Sequence, residues 1–189
     1  MKTSSVRLAV LLMVIASFCF TADVPAQACT YPPKTGHFLI GANPPATCLS
    51  LLVTCRCDRC ELGLPIEIEI AVANATANVQ VFWQRWYDTI SECDLALTDA
   101  AGKPVPMTDA GKKTREKGND IILSVGPIVR LAPGEWQSNG RPADLTELFK
   151  IRSAGVYIFT ASKKFFIDPG HRECTATSSP LRITVEKKK

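Results

Sequence analysis

Apolar and polar residues alternate strictly through PIEIEIAVAN. Ile66, Ile68, Ile70 and Val72 fall on one side, Glu67 and Glu69 on the other. A period of two predicts a half-buried strand, and Asn74-Ala75-Thr76 ends it as a turn. VQVFWQRW, residues 79–86, is rich in aromatic and β-branched positions and predicts a second strand. Further short strands are expected at Asp94–Thr98, within residues 121–131 on either side of Gly126-Pro127, at Glu135–Ser138, at Gly155–Ser162 and at Leu181–Glu186. DLTELFKI is the exception: Leu145, Leu148 and Phe149 recur at helical spacing behind a capping Asp144, with Glu147 in the capping-box position. It predicts one helical turn between two strands. About seven short strands at turn-punctuated intervals predict an all-β protein, a two-sheet sandwich.

The pattern weakens toward the amino terminus. Residues 29–60 carry Cys29, Cys48, Cys55, Cys57 and Cys60, two Pro-Pro pairs and one apolar burst at Leu49–Val53. Such a segment buries little core by itself and depends on cross-links. Ahead of it, Lys2 and Arg7 precede an apolar run from Leu8 to Phe20 and a small-x-small site at Ala26-Gln27-Ala28. That order is the pattern of a secretory signal peptide at 1–28. The run is about 13 residues, too short for a membrane span of roughly 20. The expected division is therefore a signal peptide at 1–28, a Cys-rich segment at 29–60 and a β-sandwich at 61–189, in a secreted or periplasmic protein with no membrane span. Cleavage after Ala28 leaves Cys29 at the new terminus, as a leftover or lipidated thiol. The stretch before it lacks the leucine of a lipobox.

Charge narrows the partners. The chain has 22 basic and 18 acidic residues, and residues 29–189 retain 20 and 17, a net charge of +3. That is too mild and too dispersed for a nucleic-acid face. GKKTREKGND, residues 111–120, is the one basic cluster and reads as a solvated loop between strands.

LFKIRSAGVYIF resembles the turn into strand F of immunoglobulin-like domains. Gly155 and Tyr157 match that pattern, while Ser153 stands for the usual Asp and Phe159 for the Cys. LAPGEWQ, DLTELF and GVYIF together are similar to secreted bacterial Ig-like modules, among them protease-associated and BsuPI-type protease-inhibitor domains. The resemblance spans about residues 61–186. It implies a tyrosine corner at Tyr157, a buried strand-C tryptophan at Trp83, and Ile68 or Ile70 in place of the first core cysteine.

No HExxH, GxSxG or phosphate-binding glycine loop is present. His171 has Asp168 and Glu173 near it in sequence but no nucleophile motif, and His37 has none either. Trp83, Trp86, Tyr87 and Trp136 are candidates for a ligand face. Asn74-Ala75-Thr76 fits a glycosylation sequon as well as a turn.

CRCDRC, residues 55–60, admits three chemistries. Cys57-x-x-Cys60 matches a redox pair, but Pro65 and the alternating strand deny it the following helix that such pairs use. It matches one zinc knuckle, with Cys48 or Cys55 as further ligands, but no second knuckle follows. In an oxidising compartment the default is a disulfide staple. Cys55 and Cys57 are expected to reach outward to Cys48 and Cys60, in an order that the sequence leaves open. Cys93 and Cys174 are expected to bond each other, or else to fasten the 29–60 segment to the sandwich. The odd cysteine, Cys29, allows a disulfide-linked dimer. The sequence expectation is a non-catalytic secreted module, without cofactor or metal, that binds a protein or cell-surface partner. A thiol–disulfide oxidoreductase or zinc protein using CRCDRC is the alternative.

Overall fold

The structure is a computed structural model, and it describes residues 35–37, 48–57, 59–83, 90–119, 128–138, 141–168 and 172–188. All lie in one compact unit, Tyr31–Lys189. Residues 1–28, Cys29, Trp86, Tyr87 and His171 fall outside the described residues.

The chain builds two sheets. In the first, β1 (Thr35–His37), β8 (Glu135–Ser138), β4 (Glu67–Ala73) and β2 (Ser50–Cys55) lie in that order, with β9 (Ala143–Asp144) also paired to β4. In the second, the order is β3 (Cys60–Glu61), β12 (Leu181–Glu186), β10 (Gly155–Asp168), β5 (Gln80–Trp83) and β7 (Ile128–Leu131). Strands β6 (Asp94–Asp99) and β11 (Arg172–Thr177) also pair with β10. One core lies between the sheets. Ile66, Ile68, Ile70 and Val72 of the alternating stretch meet Phe82, Leu97, Tyr157, Phe159, Phe165, Ile183 and Val185 in a single buried cluster.

The long strand β10 organises the second sheet. One of its edges takes β12 against Gly155–Phe159 and β11 against Ser162–Ile167. Its other edge takes β6 against Tyr157–Ser162 and β5 against Ile167–Asp168. Tyr157 closes the turn before β10: its hydroxyl donates to the Ser153 carbonyl at 2.7 Å.

Three elements differ from the sequence expectation. Residues 50–55 are not an appendage, because β2 pairs with β4 along its whole length, Ser50 opposite Ala73 and Cys55 opposite Ile68. Residues 109–119 are a helix, α1, rather than a loop. It is seated by Thr108, whose hydroxyl accepts from the Gly111 amide at 3.0 Å and donates to the Glu147 carbonyl. Gly111 lies against the helical turn α2 (Leu145–Leu148), so closely that a Cβ there would stand 2.2 Å from the Leu148 carbonyl oxygen. Trp83 is not the buried tryptophan. It is 40% exposed, and its neighbour Phe82 is fully buried, edge-on to Phe165 with ring centroids 5.4 Å apart.

The turn α2 forms as its pattern predicts, but Glu147 does not close a capping box. Asp144 Oδ1 accepts from the Thr146 amide at 2.8 Å and from the Ile66 amide at 2.9 Å, tying the turn to the start of β4.

Asn74-Ala75-Thr76 is a turn built on a buried network. Asn74 Nδ2 donates to the carbonyls of Asn78 and Leu131, and its Oδ1 accepts from the amide and hydroxyl of Thr76. Gln80 Nε2 adds a bond to Thr76 Oγ1 at 2.9 Å. Asn74 has no exposed surface, so the folded chain offers no amide for glycosylation.

Candidate functional site

CRCDRC is the crossover between the sheets. Cys55 ends β2 in the first sheet, and Cys60 opens β3, which runs parallel to β12 in the second, with Cys60 opposite Val185. Cys57 and Cys60 are disulfide-bonded, their Cα atoms 5.6 Å apart. Cys55 Sγ lies 3.4 Å from Cys57 Sγ and 3.9 Å from Cys60 Sγ. The two arginines of the turn pair outward. Arg56 reaches Glu67 at 3.4 Å and Glu69 at 3.7 Å, while Arg59 reaches Glu186 at 3.4 Å. Glu69, expected on a solvated face, is buried and also accepts from the Ser138 hydroxyl.

A second disulfide joins Cys48 to Cys174, with Cα atoms 5.9 Å apart and a sequence separation of 126. It fastens the start of β2 to β11. Of the two expected arrangements, Cys174 takes the one that fastens it to the 29–60 segment; the Cys93–Cys174 bond does not form, and the sheet register gives the reason. Cys174 sits opposite Phe165 on one edge of β10, whereas Cys93 immediately precedes Asp94, which sits opposite Ser162 on the other edge. Two strand spacings, roughly 10 Å, separate those positions, beyond the roughly 7 Å that a disulfide spans. Cys55 and Cys93 take part in neither bond. Of the expected outward bonds from Cys55 and Cys57, Cys57–Cys60 is present, whereas Cys55 has no disulfide to Cys48 or Cys60, both of which are bonded to other cysteines.

The two described aromatic candidates, Trp136 and Trp83, do not share one site. Trp136 is on the outer face of the first sheet, where with Leu52, Thr54, Glu69 and Ala71 it lines a groove of about 200 Å³. Trp83 is on the outer face of the second sheet, directly opposite Ile128 in β7. The register Ile167 to Phe82 puts Phe166 next to Trp83 on the strand at its other side. Phe166, Trp83 and Ile128 thus form a row across β10, β5 and β7, about 10 Å long at the usual strand spacing. They are 45%, 40% and 55% exposed. Lys164 flanks the row, with its ammonium 5.9 Å from the centre of the Phe166 ring and 2.5 Å from a Glu173 carboxylate oxygen. Glu173 is therefore engaged with Lys164. His37 lies in β1, opposite Glu135.

This row is not among the sequence expectations, which place Trp83 in the core. The signal was present in the outward set Val79, Val81 and Trp83 of VQVFWQRW. No local pattern marks the inward pair of Lys163 and Glu92, which form a buried salt bridge with the Lys163 ammonium 5.0 Å from the centre of the Phe165 ring.

No family model matches the chain, and none of the curated proteins does. Among solved structures, the crystal structure of BslA, a bacterial hydrophobin, is similar over 75% of this chain and 95% of that chain, at 15% identity and a TM-score of 0.26. A similarity that low carries no argument. Among the described residues, no helix is long and apolar enough to cross a membrane.

Proposed function

We propose that the protein is a secreted, non-catalytic immunoglobulin-like module that binds a protein or cell-surface partner through the outer face of its second sheet. The observation that carries this reading is the row Phe166–Trp83–Ile128. Three large apolar side chains stand in register on a solvent-facing surface, beside the Lys164–Glu173 ion pair. Single exposed apolar residues are ordinary, but a contiguous set with a polar border is the composition of a binding patch. Tryptophan and phenylalanine contribute most when a partner desolvates them.

The immunoglobulin-like reading rests on strand order. β2, β4 and β8 follow the A–B–E order, and β5, β10 and the β11–β12 pair follow C–F–G. The bond from Tyr157 to Ser153 supports it as a tyrosine corner. Ile68, Ile70 and Phe159 are buried in the core, which fits a sandwich of this kind with apolar residues in place of its disulfide. Secretion is supported by the leader pattern of residues 1–28 together with the two disulfides.

The test compares the full chain with a Trp83→Ser/Ile128→Ser/Phe166→Ser variant in affinity capture from the culture fluid and cell envelope of the producing cells. Circular dichroism establishes that the two are equally folded. A component captured by the wild type and reduced at least tenfold with the variant supports the reading. Capture that is unchanged, or no capture by either chain, overturns it.

A further inference from the structure

Cys55, Cys57 and Cys60 hold three sulfur atoms within 4.8 Å of one another. Each is positioned by a different part of the fold: β2, the crossover turn and β3. Cys60 is buried and the other two are half-buried.

A third sulfur beside a disulfide has two chemistries open to it. The first is exchange, in which a thiolate displaces one sulfur along the line of the S–S bond. An attacker 3.4 Å behind Cys57 would then lie roughly 5.5 Å from Cys60, given an S–S bond of about 2.05 Å. The observed distance to Cys60 is 3.9 Å. Cys55 therefore stands beside the bond rather than behind it, off the line of attack. The second chemistry is shared coordination of a metal. Metal–sulfur bonds of about 2.3 Å in tetrahedral geometry set neighbouring sulfurs about 3.8 Å apart. The two Cys55 distances, 3.4 and 3.9 Å, bracket that edge. Only the third edge of the triangle is contracted, and it is contracted by a covalent bond.

We propose that the reduced trio Cys55–Cys57–Cys60 is a three-thiolate site for a thiophilic d10 cation, zinc or copper(I), which the Cys57–Cys60 disulfide closes. The steps balance. A dithiol donor passes two electrons and two protons to the Cys57–Cys60 bond and is itself oxidised to a disulfide. The cation then displaces three thiol protons to solvent and forms three metal–sulfur bonds. Copper(I) is satisfied by the triangle alone, whereas zinc takes a water as its fourth ligand. Three thiolates leave a net negative charge on either complex. Arg56 and Arg59 flank the cysteines, and their bridges to Glu67, Glu69 and Glu186 hold the turn in shape.

The full chain, reduced anaerobically with a phosphine, is titrated in separate arms with zinc alone and with copper(I) alone, each against a competing chelator. Native mass spectrometry counts bound cations, and alkylation counts protected cysteines. One cation per reduced chain and none per oxidised chain is expected. Cys55, Cys57 and Cys60 should be protected at least tenfold, while Cys48 and Cys174 react as before. Cys55→Ser should weaken binding at least tenfold while leaving the urea midpoint of the oxidised chain unchanged. The arm that loads identifies the ion. Loading in neither arm, loading indifferent to Cys55→Ser, or loading only after circular dichroism reports loss of the fold would overturn the proposal.

Discussion

Replacing Cys48 and Cys174 together by alanine removes the one covalent link between the start of β2 and β11. The bond spans 126 residues, whereas Cys57–Cys60 spans only 3. Treated as a loss of unfolded-chain entropy, closing the long loop stabilises the fold by about 5 kcal/mol and closing the short one by about 2 kcal/mol. For a chain of this length, 5 kcal/mol corresponds to a fall in Tm of roughly 10–20 °C. That is a large share of the roughly 5–15 kcal/mol that holds most domains folded. The assay is equilibrium urea unfolding followed by tryptophan fluorescence and far-UV circular dichroism. It compares the wild type with Cys48→Ala/Cys174→Ala and Cys57→Ala/Cys60→Ala. The first variant should lose at least twice as much stability as the second. Its m-value should rise, because an unlinked denatured chain exposes more surface. Equal losses from the two variants, or a larger loss from the short loop, would refute the reasoning.

Asn74→Ala strands the Leu131 carbonyl and the Thr76 amide in the interior. It should cost about 3 kcal/mol by urea unfolding, and expression in a glycosylating host should add no mass to the native chain at Asn74. Gly111→Ala forces a Cβ against the Leu148 carbonyl and should cost about 1–3 kcal/mol, detectable as a lower Tm. Phe82→Ala should cost about 3–5 kcal/mol, whereas Trp83→Ser should stay within about 0.5 kcal/mol. The opposite ranking would return Trp83 to the core. Glu92→Ala leaves the Lys163 ammonium buried alone and should cost about 3–5 kcal/mol, while Lys163→Met/Glu92→Leu should restore much of that loss.

Legibility followed the alternation of apolar residues and failed where a polar residue faces inward. Ile66–Val72 was readable because every inward position is Ile or Val. In β5 the inward residues are Gln80 and Phe82. Gln80 is tolerated because Thr76 Oγ1 satisfies its amide, and that substitution reverses the apparent period and puts Trp83 on the wrong face. In β10 the inward Lys163 is carried by Glu92, a partner 71 positions away that no local pattern reveals. Strand β11 reads RECTAT, and its inward residues, Cys174 and Ala176, are too small to mark a strand. Helix α1 is polar on every side, and what fixes it is a fit of Gly111 against α2. The disulfide partners were undecidable from spacing, because Cys93 and Cys174 lie on opposite edges of one strand, and an edge assignment exists only once the sheet does.

The row Phe166–Trp83–Ile128 is the proposed binding face. The direct measurement is site-specific photo-crosslinking in the producing cells, with the crosslinker at position 83 in one chain and at position 182 in another. Arg182 is exposed on β12 of the same sheet and lies outside the row. A discrete adduct is expected from position 83 and none from position 182. Equal adducts from both positions, or an adduct from position 182 alone, would contradict it.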